Sequence, residues 1–281
     1  MTTATRASSY YRTGEHPQPE FELQRLREQA LMFWPKELRN FQQLGLRPDW
    51  DVLDAGAGPG FITEQLLNTV PQGTVTALEL DEGLLGEARS HLAAHEGGRL
   101  RLLQGSITQA PLPDAQFDLA LARLVLQHLA DPAQALAELN RLVRPGGRLV
   151  VADADDAMWG SVHPAIPGLD AVLAKRRQHQ AKRGGNRYVG RAMPAMMRAA
   201  GFEQITVESV AISSDELGMD ALAGHLDVQA RMSLLVKEGA IAEEQISRVQ
   251  AEAEEFLATP DASFVLLMFL YSGVKQDGGQ R

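Results

Sequence analysis

Short apolar runs alternate with helically spaced apolar positions through the first half of the chain. From Glu20 to Leu44, the apolar positions Leu23, Leu26, Ala30 and Phe33 recur at helical spacing. Strand patterns follow near 51–55, 74–79, 100–104, 117–122 and 148–154, with helical patterns between them. This alternation predicts a parallel sheet with helices on both faces, an α/β architecture. The second half is less regular. Residues 168–200 read as helix broken near Gly184-Gly185-Asn186, and Ala199-Ala-Gly-Phe202 reads as a helix stop. A strand is expected near 204–212, mostly helix over 215–258, and a final strand from Phe264 to Val274. Residues 1–20 are polar, contain Pro17 and Pro19, and are expected to be extended or mobile. No internal repeat is visible.

Ligands on open parallel sheets bind beyond the carboxyl ends of the strands. Asp54, Glu79, Ser106 and Arg123 all fall at or just past predicted strand ends, so one shared pocket is expected. The first strand runs into a glycine turn, Val52-Leu-Asp54-Ala-Gly56-Ala-Gly58-Pro59-Gly60. Such a turn brings bare backbone to a ligand, and the helix after Pro59 points free N–H groups back at it. The dinucleotide fingerprint G-x-G-x-x-G fits poorly, because Phe61 stands where its third glycine belongs. A phosphate-binding loop fits poorly too, since no lysine follows Gly60. Asp54 would repel a pyrophosphate and help hold a cation.

Composition narrows the partners. The chain has 281 residues, a net charge of -9 and no cysteine. That size suits one large domain or a core with additions. The acidity argues against a general nucleic-acid or membrane-surface binder. The missing cysteines remove disulfides, thiolate metal sites and a cysteine nucleophile, and no metal site is expected. No apolar run reaches membrane-spanning length, and Met1 to Ser9 lacks the apolar core of a secretory signal. A cytoplasmic protein is the plain expectation.

The motifs, taken in order, resemble the class I S-adenosylmethionine (SAM)-dependent methyltransferases. Val52–Gly60 resembles the family's first motif, and Val75-Thr-Ala-Leu-Glu79-Leu-Asp81 its second strand. Leu103-Gln-Gly-Ser106-Ile107 resembles the adenine loop, Phe117–Leu129 the fourth strand and its turn, and Leu142–Val151 the turn and fifth strand. The resemblance implies a seven-stranded, mostly parallel, doubly wound Rossmann-like sheet whose last strand is antiparallel. It also implies an N-terminal helical lid over 1–45, a cofactor core over 46–155, and lid helices, a helical insertion and closing strands over 156–281. The implied cofactor is SAM, with S-adenosylhomocysteine as product. Its implied contacts are Asp54, Gly56, Gly58 and Gly60 in the turn, Glu79 and Leu80 at the ribose, Ser106 and Ile107 at the adenine, and Arg123 near the methionine end. Asp54 could otherwise cap a turn, Glu79 could be a surface acid, and Arg123 could be a surface ion-pair partner. Ser106 departs from the family, which often carries an acid there; a hydroxyl accepts a weaker hydrogen bond.

The same resemblance places the acceptor. Tyr10 and Tyr11 match the lid of the small-molecule branch, with Tyr11 as a candidate catalytic group, against a plain disordered tail. The loop after the fifth strand carries Asp155, Trp159 and His163, and its continuation carries Arg187 and Arg191. His163 could act as a base or only bond its own turn. Arg187 and Arg191 could grip a carboxylate or phosphate, or sit on a solvated face. His128, among apolar residues, reads as structural. Trp159, Met193, Met196, Met197 and Phe264 suggest an apolar or aromatic acceptor, or plain core. The expected function is methyl transfer to an O, N or C atom of a small molecule in specialised metabolism. The rival readings are a non-catalytic SAM-binding regulator or scaffold and a protein methyltransferase, with a nicotinamide oxidoreductase last. A homo-oligomer is left open.

Overall fold

The computed structural model describes residues 17–276, Glu96 excepted. Helix α1 (Pro19–Gln43) precedes β1 (Asp51–Ala55), α2 (Phe61–Thr69), β2 (Thr74–Glu79), α3 (Glu82–His91) and β3 (Leu100–Gln104). Then come β4 (Phe117–Arg123), α4 (Pro132–Leu142), β5 (Val143–Asp153) and a short β6 (Gly160–His163). The remainder comprises α5 (Leu169–Lys182), α6 (Met193–Ala199), β7 (Phe202–Ser213), four helices α7 (Ser214–Leu217), α8 (Met219–Ala223), α9 (Val228–Lys237) and α10 (Glu243–Leu257), and β8 (Ser263–Lys275).

Strands β3, β2, β1, β4 and β5 lie side by side and parallel, while β8 runs antiparallel to β5 and to β7. The order reverses at β1, whose neighbours are β2 and β4, and this creates the crevice where a ligand fits. The expected helical insertion does fall between the last two strands. It divides into four helices, of which α9 starts on Asp227, whose carboxylate accepts from the Ala230 N–H at 2.9 Å.

Among the described residues the sheet has eight strands rather than seven. The extra one, β6, pairs Gly160–His163 with Leu266–Ser263 of β8, beyond the stretch that β5 covers. Four residues of mixed polarity around a glycine carry no alternating pattern, so this strand is invisible to periodicity. Strand β5 also begins at Val143, not near 148, because the Arg-Pro-Gly-Gly turn is drawn into the ladder beside Phe117.

Two apolar clusters lie on the two faces of the sheet. One joins Phe33, Trp34 and Phe41 of α1 to Val52, Leu121, Phe256 and Phe264. The other joins Leu53, Ala120, Leu136 and Val151 to Met193, Met197 and Phe202. Met193, Met197 and Phe264 are core residues with no exposed surface, so they do not shape an acceptor pocket. Among the described residues no helix is long and apolar enough to cross a membrane.

Candidate active site

A cavity of about 830 Å³ opens at the carboxyl ends of β1, β2 and β4. Its floor is the glycine turn. The N–H groups of Gly56 and Ala57 both donate to the Leu78 carbonyl, at 2.7 and 3.1 Å, which fixes the turn against β2. A Cβ on Gly56 would lie 2.5 Å from a methyl of Val125, so backbone alone fits there. Gly58 has φ +57 and open space where a Cβ would project, and it lines the cavity. Gly60 does not line it: this glycine starts α2 and sits against Leu92. Its part is helix packing, not ligand contact.

Two buried carboxylates flank the turn. Asp54 is 2% exposed and accepts from the Thr63 hydroxyl at 2.7 Å. Burial pushes its pKa up to about 6, with Thr63 and Arg123 opposing the rise and Glu79 adding to it. Glu79 accepts three backbone N–H bonds, from Leu80 and Asp81 on one oxygen and Gly58 on the other, each at 2.8 Å. Burial raises its pKa as well, and those N–H groups oppose it. A carboxylate offers about four lone-pair sites, so one remains for a hydroxyl in the cavity. Leu80 and Ile107 form apolar walls. The Ser106 hydroxyl is engaged in its own turn, with the Thr108 hydroxyl at 2.7 Å and the Thr108 N–H at 3.2 Å.

Arg123 lines the cavity, yet it is no surface ion pair. Its Nε donates to both oxygens of Glu37, at 3.0 and 3.1 Å, and its Nη2 to the Gln29 carbonyl at 3.3 Å. Glu37 has no exposed surface. The pair ties α1 to the end of β4 and so fixes one wall of the crevice.

The other end of the cavity is made mostly by residues that were not among the candidate site residues. Glu22, Arg25 and Gln29 come from α1, Arg176 and Gln180 from α5, and Arg231, Leu234 and Leu235 from α9. The one available signal was spacing: Glu22, Arg25 and Gln29, like Arg176 and Gln180, are polar residues three to four apart, on one helix face. His128 also lines this end. Its Nδ1 accepts from the Gln180 amide at 3.2 Å, an orientation fixed because the Gln180 oxygen accepts from Arg187 Nη1 at 3.2 Å. The imidazole proton therefore sits on Nε2. Burial, with Arg187, Arg176 and Arg25, pushes its pKa down to about 3, which keeps it neutral and makes it a poor base.

Several expected acceptor residues lie elsewhere. His163 is exposed on the edge strand β6, opposite Ser263, and is outside the cavity lining. Asp155 and Arg191 are also outside it and hold each other, at 2.7 and 2.8 Å, while Arg191 stacks on Tyr188. Trp159 packs edge-on against Phe264, with ring centroids 6.0 Å apart, as a core residue. Arg187 does line the cavity, clamped to Asp156 at 2.6 and 2.8 Å. Tyr10 and Tyr11 lie outside the described residues.

A five-strand parallel run closed by an antiparallel strand, with a glycine turn and two strand-end acids at its switch point, is a Rossmann-like methyltransferase fold. The donor set fits the cofactor: an acid for its cationic methionine end, an acid for vicinal hydroxyls, and apolar walls for a flat base. Residues 53–151 match the family described as a methyltransferase domain. The chain is 35% identical over 183 residues to an uncharacterised 37.1 kDa transposon protein of Streptomyces fradiae, covering 64% of this chain and 52% of that one. It is 28% identical over 211 residues to a protein of Mycolicibacterium smegmatis named as a probable SAM-dependent methyltransferase, covering 74% and 69%. In fold it is similar to phosphoethanolamine N-methyltransferase 2 of Haemonchus contortus, solved with phosphomonomethylethanolamine and S-adenosylhomocysteine. That likeness has a TM-score of 0.59 at 15% identity and covers 93% of this chain and 58% of the other. The chain spans about half the length of the Streptomyces relative.

Proposed function

We propose that this protein transfers a methyl group from SAM to an O, N or C atom of a small-molecule acceptor, as an enzyme of specialised metabolism in the cytoplasm. The observation that carries the reading is the continuity of one cavity. The glycine turn and its acids form one end, and α1, α5 and α9 form the other. When bound, SAM supplies a methyl group made electrophilic by its sulfonium. The protein's part is positioning and exclusion of water. Asp54 holds the cationic methionine end, and Glu79 takes the ribose hydroxyls. Leu80 and Ile107 sandwich the base. Helices α1, α5 and α9 close over the acceptor.

The test is incubation with methyl-labelled SAM and a panel of small acceptors, followed by mass spectrometry. Labelled product with some acceptor and release of S-adenosylhomocysteine are expected. Tight SAM binding without transfer to any member of a broad panel would favour a regulatory or scaffold role.

A further inference from the structure

Four guanidiniums meet at the helical end of the cavity: Arg25 from α1, Arg176 from α5, Arg187 from the following loop and Arg231 from α9. Two carboxylates pair with them. Glu22 is held by Arg25 at 2.7 and 2.5 Å. Asp156 is shared by Arg187 at 2.6 Å and Arg176 at 3.3 Å. Arg231 makes no ion pair among the described residues, and its Nη1 is buried without a hydrogen-bond partner. Among the described residues Arg25, Arg176 and Arg187 thus have carboxylate partners and Arg231 has none, inside a protein whose net charge is -9. A buried charge without a partner is costly, and such an arrangement persists where a ligand completes it.

We infer that this end of the cavity binds an anionic oxygen group, a carboxylate or a phosphate, carried by the acceptor, with Arg231 as its principal donor and Arg25 and Arg176 beside it. The inference rests on the methyltransferase reading for what the anion is, but not for where it binds. Neighbouring groups register the same positive field. Burial lowers the Arg231 pKa well below its ordinary value, and Arg25, Arg176 and Arg187 lower it further. Burial together with Arg231, Arg25 and Arg176 does the same to His225. Arginine stays protonated under ordinary conditions, so the strain is relieved by a counter-charge and not by loss of a proton. The forked guanidiniums suit two parallel bonds to one oxyanion. Leu26, Leu234 and Leu235 border the same end and give the rest of the acceptor an apolar surface.

The cluster is distinct from the cofactor's acids. The charges acting on Arg231 are those of Arg25, Arg176, Glu22 and Arg187. Those acting on Asp54 are Arg123 and Glu79. The two groups thus share no charged neighbour among these, although both line the one cavity.

The experiment is calorimetric titration of the full chain, with and without S-adenosylhomocysteine, using benzoate, phenyl phosphate and neutral benzyl alcohol as probes. At least one anion is expected to bind ten times or more tighter than benzyl alcohol, and the two anions separate a carboxylate site from a phosphate site. Arg231→Met should weaken that anion at least tenfold and leave S-adenosylhomocysteine affinity within twofold. Arg231→Lys should retain part of the anion affinity. Removal of an unpaired buried charge should also raise the melting temperature of ligand-free Arg231→Met, which reports that the variant is folded. Equal binding of all three probes, or unchanged anion affinity in folded Arg231→Met, would overturn the inference. So would parallel loss of S-adenosylhomocysteine affinity, which would assign the cluster to the cofactor's own carboxylate. Anion binding by a protein that ignores SAM and S-adenosylhomocysteine would uphold the anion site and defeat the methyltransferase reading.

Discussion

Replacing Asp54 by Asn should stabilise the ligand-free protein while crippling its cofactor site. The carboxyl is buried at 2% exposure, with one hydroxyl donor from Thr63. Burial raises its pKa from 3.8 to about 6. The folded protein then holds this proton more tightly than the unfolded chain does. The stability attached to it is full below pH 3.8 and drains away as pH rises from 3.8 to about 6. At about 1.4 kcal/mol per tenfold change in proton affinity, the loss above pH 6 is about 3 kcal/mol, an order-of-magnitude figure. Asn cannot ionise and can still accept from Thr63, so Asp54→Asn avoids that loss. For a domain of this size 1 kcal/mol is worth about 2–4 °C, so a melting temperature higher by several degrees is expected near neutral pH. Scanning fluorimetry of both proteins across the pH range is the assay. The gain should be present near pH 7.5 and vanish near pH 4. Calorimetry on the same samples should show SAM binding weakened at least tenfold. An Asn variant less stable than wild type near pH 7.5, or a gain that does not change with pH, would refute the reasoning.

Other variants test separate parts of the site. Gly58→Val should abolish SAM binding, because its side chain would project into open cavity, and should also lower the melting temperature, because a φ of +57 strains a β-branched residue; unchanged affinity in a folded variant counts against the placement. Glu79→Ala removes both a ribose acceptor and the partner of three N–H groups. It should cost about 1–3 kcal/mol of SAM binding by calorimetry and also lower the melting temperature. Arg123→Ala leaves Glu37 buried and unpaired, so a loss of about 3–5 kcal/mol in chemical denaturation is expected, largely restored by adding Glu37→Gln. His163→Ala should leave kcat and its pH profile unchanged, since the side chain is exposed on β6; a large fall in kcat would put a base there after all.

The glycine-turn end of the cavity was legible because its chemistry is local in sequence. The turn from Asp54 to Gly58 and the strand-end acid Glu79 carry their own geometry, and the sheet brings them together without help from distant segments. The helical end of the cavity was not legible, because its residues come from α1, α5 and α9, which are far apart along the chain. Arg231 lies in a stretch whose pattern says only that it is helical. Arg187 and Arg191 were both candidates, yet pattern alone could not tell Arg187, which lines the cavity, from Arg191, which pairs with Asp155 outside it. His163 and Trp159 misled for the same reason. A loop after a parallel strand usually faces the ligand, but here it turns away as β6 and joins the ladder of β8.

Calorimetric titration of the full chain with S-adenosylhomocysteine, beside the Gly58→Val variant, shows most directly whether the glycine-turn cavity holds SAM. One binding event per chain with micromolar affinity, absent from folded Gly58→Val, is the predicted result. No heat with wild type, or equal binding by both proteins, would contradict the account.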